Sequence, residues 1–383
     1  MYESRNRLLL VLIIFTLILS LFTVFIHSES VPSLSAKAAA LYEPETNRFL
    51  YTKNADQRLG MASTTKIMTA LIALETLPTD EVITVDERAA GIEGSSIYLK
   101  AGEEISVIDL VYATLLQSAN DAAAALACRI ADGIDEFSYV MNERARELGL
   151  VDTNFKNPHG LDDSEHYTTA RELALLAAEA LKNETFKSVC STYKKELTSS
   201  ASQRIVVNHN KLLKAYPGCI GVKTGYTKKS GRSLVSAAER DGLTLIGVTI
   251  NAPDDWRDHT EMLDYGFSLL EARLLAKKDE FSYLIPVIGG DKESVRVSNE
   301  EEIKKIFNKC DSDIEISVRL PRYFSAPIRI GDVLGTVVFI KDGEKIAEID
   351  LISRENIDKG KKKNPRRTQK WRSDSKNTFL TQG

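Results

Sequence analysis

A serine and a lysine stand three residues apart at the start of the apolar, helix-forming stretch 61–70, with sequence MASTTKIMTA. Residues with this spacing share one face of a helix. Ser63 would lie beside the unpaired N–H groups and the positive dipole end of the helix N-terminus. Lys66, among Ile67 and Leu71, would have its pKa lowered by desolvation and take the serine proton. The spacing is also compatible with a capping serine and a solvated lysine, because Ser-x-x-Lys alone is a weak signal.

Two later motifs strengthen the first reading. Ser118-Ala119-Asn120 begins 55 residues after Ser63, and Lys223-Thr224-Gly225 begins 105 residues after Ser118. Ser-x-x-Lys, Ser-Asp-Asn and Lys-Thr-Gly form, in this order, a set shared by class A β-lactamases and penicillin-binding proteins. The second motif here reads Ser-Ala-Asn. The three motifs together therefore predict a serine nucleophile that forms an acyl-enzyme.

With these motifs the chain resembles the low-molecular-mass penicillin-binding proteins that are serine-type D-alanyl-D-alanine carboxypeptidases. The similarity extends over residues 36–355. Besides the stretch at 61–70, it is carried by 117–123 (QSANDAA), 157–162 (NPHGLD) and 221–227 (GVKTGYT).

The resemblance implies an α+β fold, a β-lactamase/transpeptidase-like catalytic domain in which helices surround an antiparallel sheet. A small all-β domain would follow it. We assign residues 1–35 to a signal peptide or membrane anchor, 36–276 to the catalytic domain, 277–353 to the β domain and 354–383 to a basic tail that we expect to be disordered.

The motifs suggest a division of catalytic roles. Ser63 would attack the peptide carbonyl, Lys66 would accept its proton, and Ser118 would pass a proton to the departing amine. Asn120 would hydrogen-bond the substrate amide or Lys66. By resemblance, the backbone N–H groups of Ser63 and Tyr226 would bind the oxyanion.

Substrate recognition falls to the third motif. Lys223 and Thr224, at a strand edge, would bind a terminal carboxylate, and Gly225 would let the substrate backbone come close. A free carboxylate at this point indicates carboxypeptidase action. Arg257 is a candidate second anchor for the carboxylate, although an ordinary surface arginine explains it equally well.

The expected substrate is the peptidoglycan stem peptide that ends in D-Ala-D-Ala, and β-lactams would act as covalent inhibitors. No cofactor or metal is expected, because the five histidines show no metal-ligand spacing; His159 and Asp162 would shape a loop beside the cleft. One alternative is a β-lactamase of the same fold, disfavoured because a Glu-x-x-Leu-Asn sequence is absent. The other is a non-catalytic cell-wall-binding scaffold.

The N-terminus predicts export. Arg5 and Arg7 precede an unbroken apolar run from Leu8 to Ile26, which is both a long signal-peptide core and about the ~20 residues that span a bilayer. Cleavage and retention as an N-terminal membrane anchor both remain open. In either case the globular part would lie at the outer face of the cytoplasmic membrane, in the cell envelope.

Charge is concentrated at the C-terminus. The segment from Arg354 to Gly383 has ten Lys/Arg and three Asp/Glu, a net charge of +7, so the rest carries −11 within the total of −4. This balance is not that of a nucleic-acid-binding protein. The tail has too few apolar residues for an amphipathic membrane helix, but it could lie on anionic lipid or wall polymer. The four cysteines show no pairing signal, and we expect mostly free thiols.

Periodicity and turn residues predict the main secondary structure. Helices are expected after Ser63 and at Val107–Gln117, Asp121–Ala131, Asp135–Leu148, Thr169–Leu181 and Asp258–Leu275, with N-caps at Ser106 and Asp121. An N-terminal hairpin, Lys37–Tyr42 with Arg48–Tyr51, would share one sheet with Gln203–Asn208, Gly231–Glu239 and Leu243–Asn251. Strands of the β domain are expected at Phe281–Val287, Ile314–Leu320, Val333–Ile340 and Lys345–Ile352.

Overall fold

The computed structural model describes residues 31–360 and divides them into two compact units. The first contains 31–272 together with Ile306–Lys309, and the second contains 273–305 and 310–360. The predicted N-terminal apolar run and the tail beyond residue 360 lie outside the described residues. Within the described range, no helix has both the length and the apolar character needed to cross a bilayer.

The first unit contains both helices and strands, whereas the second is built from strands. The helices are α1 Lys66–Thr76, α2 Val107–Leu116, α3 Asn120–Ile130, α4 Ile134–Glu147, α5 Ala170–Leu181, α6 Glu184–Ser191, α7 Leu212–Ala215 and α8 Asp255–Leu269. The strands are β1 Ala38–Glu43, β2 Arg48–Lys53, β3 Val82–Thr84, β4 Glu104–Ser106, β5 Lys194–Thr198, β6 Gln203–Val207, β7 Cys219–Thr227, β8 Gly231–Arg240, β9 Leu243–Ile250, β10 Leu270–Ala276, β11 Ser282–Ile288, β12 Ser294–Ser298, β13 Ile303–Asn308, β14 Glu315–Arg319, β15 Phe324–Ser325, β16 Val333–Lys341 and β17 Glu344–Ser353.

The central sheet of the first unit has the order β2-β1-β9-β8-β7, and every neighbouring pair is antiparallel. This confirms the predicted α+β class and the predicted N-terminal hairpin. The expectation that Gln203–Asn208 joins this sheet is wrong, because β6 pairs with β5 in a separate hairpin. The predicted helix to Leu275 is also too long: α8 ends at Leu269, and the apolar residues that follow form β10.

Both faces of the central sheet are covered. Successive residues of a strand point to opposite faces, and along β1 the buried Ala38 and Ala40 pack with the large helical core while Ala39 and Leu41 pack with α8. Burial on both faces explains why β1 is an unbroken apolar run rather than an alternating one. In the large core, α1 is buried from Lys66 to Ala73, so its N-terminus is held inside the unit.

The second unit contains a six-stranded sheet with the order β14-β16-β17-β12-β11-β15. All its pairs are antiparallel except the short parallel contact between β11 and β15. The four predicted strands are present, and β12 and β15 were missed. Residues 354–360, which the sequence analysis grouped with the tail, still contact this unit through bridges from Ile357 to Ile328 and from Lys359 to Gly290.

Candidate active site

Ser63 lies in a tight turn directly before α1. Residues Ala62–Thr65 form a 3₁₀ helix, and Ala62 has a positive φ of 49°, a conformation that a side chain disfavours. The hydroxyls of Thr64 and Thr65 donate to the carbonyl oxygens of Met61 at 2.7 Å and Ala62 at 2.8 Å. The threonines between the serine and the lysine therefore hold the strained turn that presents Ser63.

Lys66 is fully buried, and three oxygen atoms surround its Nζ. Asn120 Oδ1 lies at 2.7 Å, the carbonyl oxygen of His159 at 2.5 Å and Ser63 Oγ at 3.0 Å. The first two atoms only accept hydrogen bonds. If the amine is neutral, its two N–H bonds satisfy these acceptors and its lone pair is left for Ser63 Oγ.

The electrostatics favour this neutral form. Burial lowers the pKa of Lys66 well below its ordinary value, and the positive charge of Lys223 lowers it further. Burial also lowers the pKa of Lys223, to about 7. The positive charge of Lys223 therefore adds to burial in favouring the neutral form of Lys66.

The second motif begins α3 and contacts the lysine directly. Ser118 has a positive φ of 60° and is nearly buried, and Asn120 opens the helix. The Asn120 amide nitrogen donates to the carbonyl oxygen of Glu93 at 2.5 Å, which fixes the amide so that its oxygen faces Lys66.

Asp121 is not the N-cap of α3; that position is Ala119, without a side-chain cap. The Asp121 carboxylate is buried and accepts hydrogen bonds from the Ser96 hydroxyl at 2.6 Å and the backbone N–H groups of Ile97 at 3.2 Å and Leu99 at 2.9 Å. It thereby ties the preceding loop to the start of α3. The Ser106 cap of α2 is confirmed, with its hydroxyl accepting from the N–H of Asp109.

The loop containing His159 packs tightly against the nucleophile turn. Gly160 has φ +87°, and a Cβ at this position would lie 2.0 Å from the carbonyl oxygen of Ala62. Burial lowers the pKa of His159 to about 3, so this ring is neutral near pH 7. Asp162 accepts from Thr227 and Ser230, which joins the loop to the β7–β8 turn.

A second buried histidine, His166, is hydrogen-bonded to the turn that contains Ser63. His166 Nδ1 accepts from the Lys156 N–H at 2.9 Å, so Nε2 carries the proton and donates to Thr65 Oγ1 at 2.7 Å. Thr65 in turn donates to Ala62. Burial lowers the pKa of His166 to about 4, consistent with the neutral ring that this chain of hydrogen bonds requires.

The third motif lies on β7, the edge strand of the central sheet. Lys223 is buried, and its Nζ donates to the Thr224 carbonyl oxygen at 2.8 Å. A Cβ on Gly225 would lie 3.1 Å from the backbone nitrogens of both Ser63 and Thr64. Glycine is needed here because β7 passes so close to the nucleophile turn.

A cavity of about 500 Å³ opens over these motifs. It brings together Ser63, Ser118, Thr224, Gly225 and Tyr226 from the sequence analysis. Lys66, Asn120 and Lys223 are buried behind it. The remaining lining residues are Ser95, Asn208, His209, Lys211, Arg232, Asp255 and Trp256.

Arg257 is not brought to the cavity. Its side chain is exposed and pairs with Glu261 one helical turn along α8 at 2.7 Å. Arg232 lines the cavity instead, beside Asp255 at 3.4 Å. Sequence reasoning missed Arg232, although its place opposite Tyr226 on β8 follows from the β7–β8 hairpin register.

Within the described range, no group of three or more His, Cys, Asp or Glu side chains is arranged to hold a metal ion. The four cysteines are free thiols. The cavity presents the hydroxyls of Ser63, Ser118 and Thr224 and the guanidinium of Arg232, and the amines of Lys66 and Lys223 lie behind it. Hydroxyls next to a buried amine suit acyl transfer by a serine.

Comparison with known proteins gives matches to both parts of the chain. Residues 26–254 match the peptidase S11 model, described as D-alanyl-D-alanine carboxypeptidase, and residues 271–359 match the model of the C-terminal domain of penicillin-binding protein 5. The chain is 36% identical over 335 residues to the D-alanyl-D-alanine carboxypeptidase DacF of Bacillus subtilis, covering 85% of this chain and 86% of the relative.

Solved structures show the same similarity. The crystal structure of the D-alanyl-D-alanine carboxypeptidase DacD from Francisella tularensis has a TM-score of 0.63 at 28% identity, covering 88% of this chain and 97% of that one. The DD-transpeptidase of Streptomyces K15 has a TM-score of 0.60 at 34% identity, covering 63% of this chain and 100% of that one.

Proposed function

The chain belongs to the peptidase S11 family of D-alanyl-D-alanine carboxypeptidases, and from this premise we propose that Ser63 is its nucleophile and Lys66 its general base. The enzyme is a serine hydrolase that removes the terminal D-alanine from peptidoglycan stem peptides. The placement of Lys66 Nζ carries the assignment of roles. Asn120 Oδ1 and the carbonyl oxygen of His159 accept the two N–H bonds of the neutral amine, and its lone pair is left to accept the proton of Ser63 Oγ.

The first step forms the acyl-enzyme. Ser63 Oγ bonds to the carbonyl carbon of the D-Ala-D-Ala peptide bond while its proton passes to Lys66 Nζ. The negative charge on the substrate oxygen is stabilised by the backbone N–H groups of Ser63 and Tyr226. The C–N bond then breaks, and Ser118 relays the proton from Lys66 to the departing amine of D-alanine.

The second step is hydrolysis. A water molecule gives a proton to Lys66 and adds to the ester carbon, the bond to Ser63 Oγ breaks, and the serine regains a proton. Asn120 keeps the amine in position through both steps. A β-lactam enters by the same attack, but its leaving nitrogen stays tethered to the acyl group, so the product persists as a covalent adduct.

We assign recognition of the substrate carboxylate to residues of β7 and β8. Thr224 offers a hydroxyl at the cavity wall and Lys223 a positive charge behind it. Arg232 is a better placed second anchor than Arg257, because it lines the cavity while Arg257 is paired elsewhere. A carboxylate held by such charge-assisted hydrogen bonds fixes the register of the peptide along the strand.

The peptidoglycan substrate and the family both support action outside the cytoplasm. We propose that the segment before residue 31 exports the protein and, if uncleaved, anchors it to the outer face of the cytoplasmic membrane. Ser35 donates to Asp258 at 2.8 Å, so the fold begins near this point. Deleting residues 1–30 should give a soluble active enzyme, whereas deleting 361–383 should leave membrane association unchanged. Release by the second deletion alone would contradict the anchor.

The function is tested by adding a fluorescent penicillin and a peptide ending in D-Ala-D-Ala to the purified enzyme. We expect a persistent adduct together with release of D-alanine, and the loss of both in the Ser63→Ala variant. Rapid hydrolysis of the penicillin would instead favour the β-lactamase. The absence of both signals would favour a non-catalytic scaffold.

A further inference from the structure

The sheet of the second unit has one long open edge. β14 (Glu315–Arg319) ends the strand order and pairs with β16, and its other side has no strand partner among the described residues. At the opposite end, β15 has only the two residues Phe324–Ser325. Unpaired N–H and C=O groups along an edge are a template for another strand, so β14 is where this sheet can be extended.

Apolar side chains reach this edge without being covered. Ile316 and Val318 are 52% and 37% exposed, while Phe339 and Val337, their cross-strand partners on β16, are fully buried. The apolar row of the core face therefore continues from β16 onto β14 and stops in solvent. A further strand would bury the end of the row.

The sequence of the edge strand is complementary to itself. Residues 314–320 read Ile-Glu-Ile-Ser-Val-Arg-Leu. If two copies pair antiparallel about Ser317, each Glu315 lies opposite the partner's Arg319 and each Ile316 opposite the partner's Val318. Opposite charges and apolar pairs are the cross-strand neighbours that stabilise antiparallel sheets.

The charges are available for such a contact. Glu315 has no ion-pair partner among the described residues, and Arg319, also exposed, makes none within 4 Å but lies near enough to influence Glu348. Other registers lose the match. A shift by one residue moves the apolar row to the opposite face, and a shift by two places Glu315 or Arg319 opposite serine.

We propose that β14 is a dimerisation strand, which pairs antiparallel with β14 of a second copy about a two-fold axis at Ser317. The two six-stranded sheets become one continuous sheet of twelve strands. The same surface serves both copies, as a two-fold contact requires. A second copy suits this edge better than an unrelated peptide, because the strand already carries its own complement.

A charge exchange tests the pairing. In the full chain in detergent, Glu315→Arg and Arg319→Glu each place like charges opposite one another, whereas the double variant restores opposite charges with reversed sign. By sedimentation equilibrium we expect each single variant to dimerise at least tenfold more weakly than wild type, and the double variant to recover to within about threefold. A monomeric wild type at 100 µM, or single variants that dimerise like wild type, would overturn the proposal.

A cysteine at the axis tests the register. Directly opposed residues of antiparallel strands have Cα atoms ~4.5–5.5 Å apart, within the range that a disulfide spans. In a Cys310→Ser background, which removes the exposed thiol, Ser317→Cys should form a disulfide-linked dimer under mild oxidation. The matched Ser325→Cys variant on β15 should remain monomeric. Equal cross-linking of both variants, or none of Ser317→Cys, contradicts the two-fold pairing. A calorimetric melting curve of every variant checks that the second unit is folded.

Discussion

The two units differ in whether they bury charged side chains. The first unit completely buries two lysines, Lys66 and Lys223, as well as several carboxylates such as Asp121 and Glu103. The described part of the second unit buries no charged side chain. Its buried polar residues are Ser298, Asn299 and Ser353, and most of its ion pairs are solvent-exposed. The least accessible pair, Lys341 with Asp311 at 3.1 Å, still has side chains that are 21% and 14% exposed.

Buried charged residues of the first unit differ in whether they contact a group that compensates the charge. The buried Glu103 is compensated by Arg204 at 2.5 Å, and Asp121 by several hydrogen-bond donors. Lys66 and Lys223 instead contact neutral oxygens, without a carboxylate. Burying a charge without a partner destabilises a fold and shifts the pKa. Such lysines indicate a functional site, and substitutions in the two units test this difference.

The largest effect is expected at Lys66. Lys66→Met keeps the length and the apolar stem but removes the base, so kcat/KM and the rate of penicillin acylation should fall by about 10²–10⁴. The melting temperature should change little, since the variant no longer buries an amine but leaves two carbonyl oxygens without a donor. Stopped-flow acylation and calorimetry measure the two quantities. A large loss of stability with acylation intact would make Lys66 a structural residue.

The next effect is a dependence on pH that acts on activity and stability in opposite directions. Lys223 has a pKa of about 7 in the fold, against an ordinary value near 10.4 when unfolded. Above pH 7 the folded enzyme loses this positive charge, so the KM for a peptide with a free carboxylate should rise. Between pH 7 and about 10.4 the unfolded chain binds more protons, so stability should rise with pH across this window.

Lys223→Met isolates both effects. Between pH 7 and pH 9 the free energy of urea unfolding of wild type should approach that of the variant. The reason is that wild type no longer buries a charged Lys223 at the higher pH. The variant should bind substrate about 10- to 150-fold more weakly at pH 6.5, the range of a charge-assisted hydrogen bond. A KM for wild type that stays constant from pH 6.5 to 9 contradicts the assigned carboxylate anchor.

A smaller effect distinguishes the two arginines near the start of α8. Arg232→Ala removes the guanidinium that lines the cavity and should raise KM about tenfold, with kcat less affected. Arg257→Ala removes a side chain paired with Glu261 at the surface and should change KM less than twofold. A comparable rise in both variants would mean that Arg257 turns into the cavity when substrate binds, as the sequence analysis expected.

The sequence predicts best those features that depend on residues close together along the chain. Ser63 and Lys66 form a local pair, and the N-terminal hairpin is marked by Pro44 and Asn47 in its turn, so short-range patterns reveal them. Arg232 has no local signal, because its place at the cavity depends on the register of β8 against β7.

Errors at element ends have the same origin. The apolar residues after Leu269 fit a continuing helix as well as a strand, and only pairing with β13 decides between them. Asp121 fits an N-cap by composition, but its carboxylate also binds backbone N–H groups of Ile97 and Leu99, in a loop that is distant in the sequence. Long-range contacts, which a single sequence does not specify, settle both cases.

The smallest effect belongs to the second unit. Arg354 is the best connected of its surface charges: it donates to Asp279 at 2.6 Å, to Ser298 Oγ at 2.6 Å and to the carbonyl oxygen of Asn299 at 3.0 Å. Arg354→Ala should therefore lower the melting temperature by about 2–4 °C and leave kcat/KM unchanged, because no buried charge or cavity residue depends on it.

The matched control is Arg329→Ala, whose ion pair with Asp358 is more than half exposed on both sides, so solvent screens it and no shift should be measurable. Calorimetry and peptide hydrolysis on the three proteins provide the comparison. If Arg354→Ala lowered kcat/KM while the fold melted as in wild type, surface charge in the second unit would act on catalysis. The division between a unit that buries charge for chemistry and one that keeps charge in solvent would then fail.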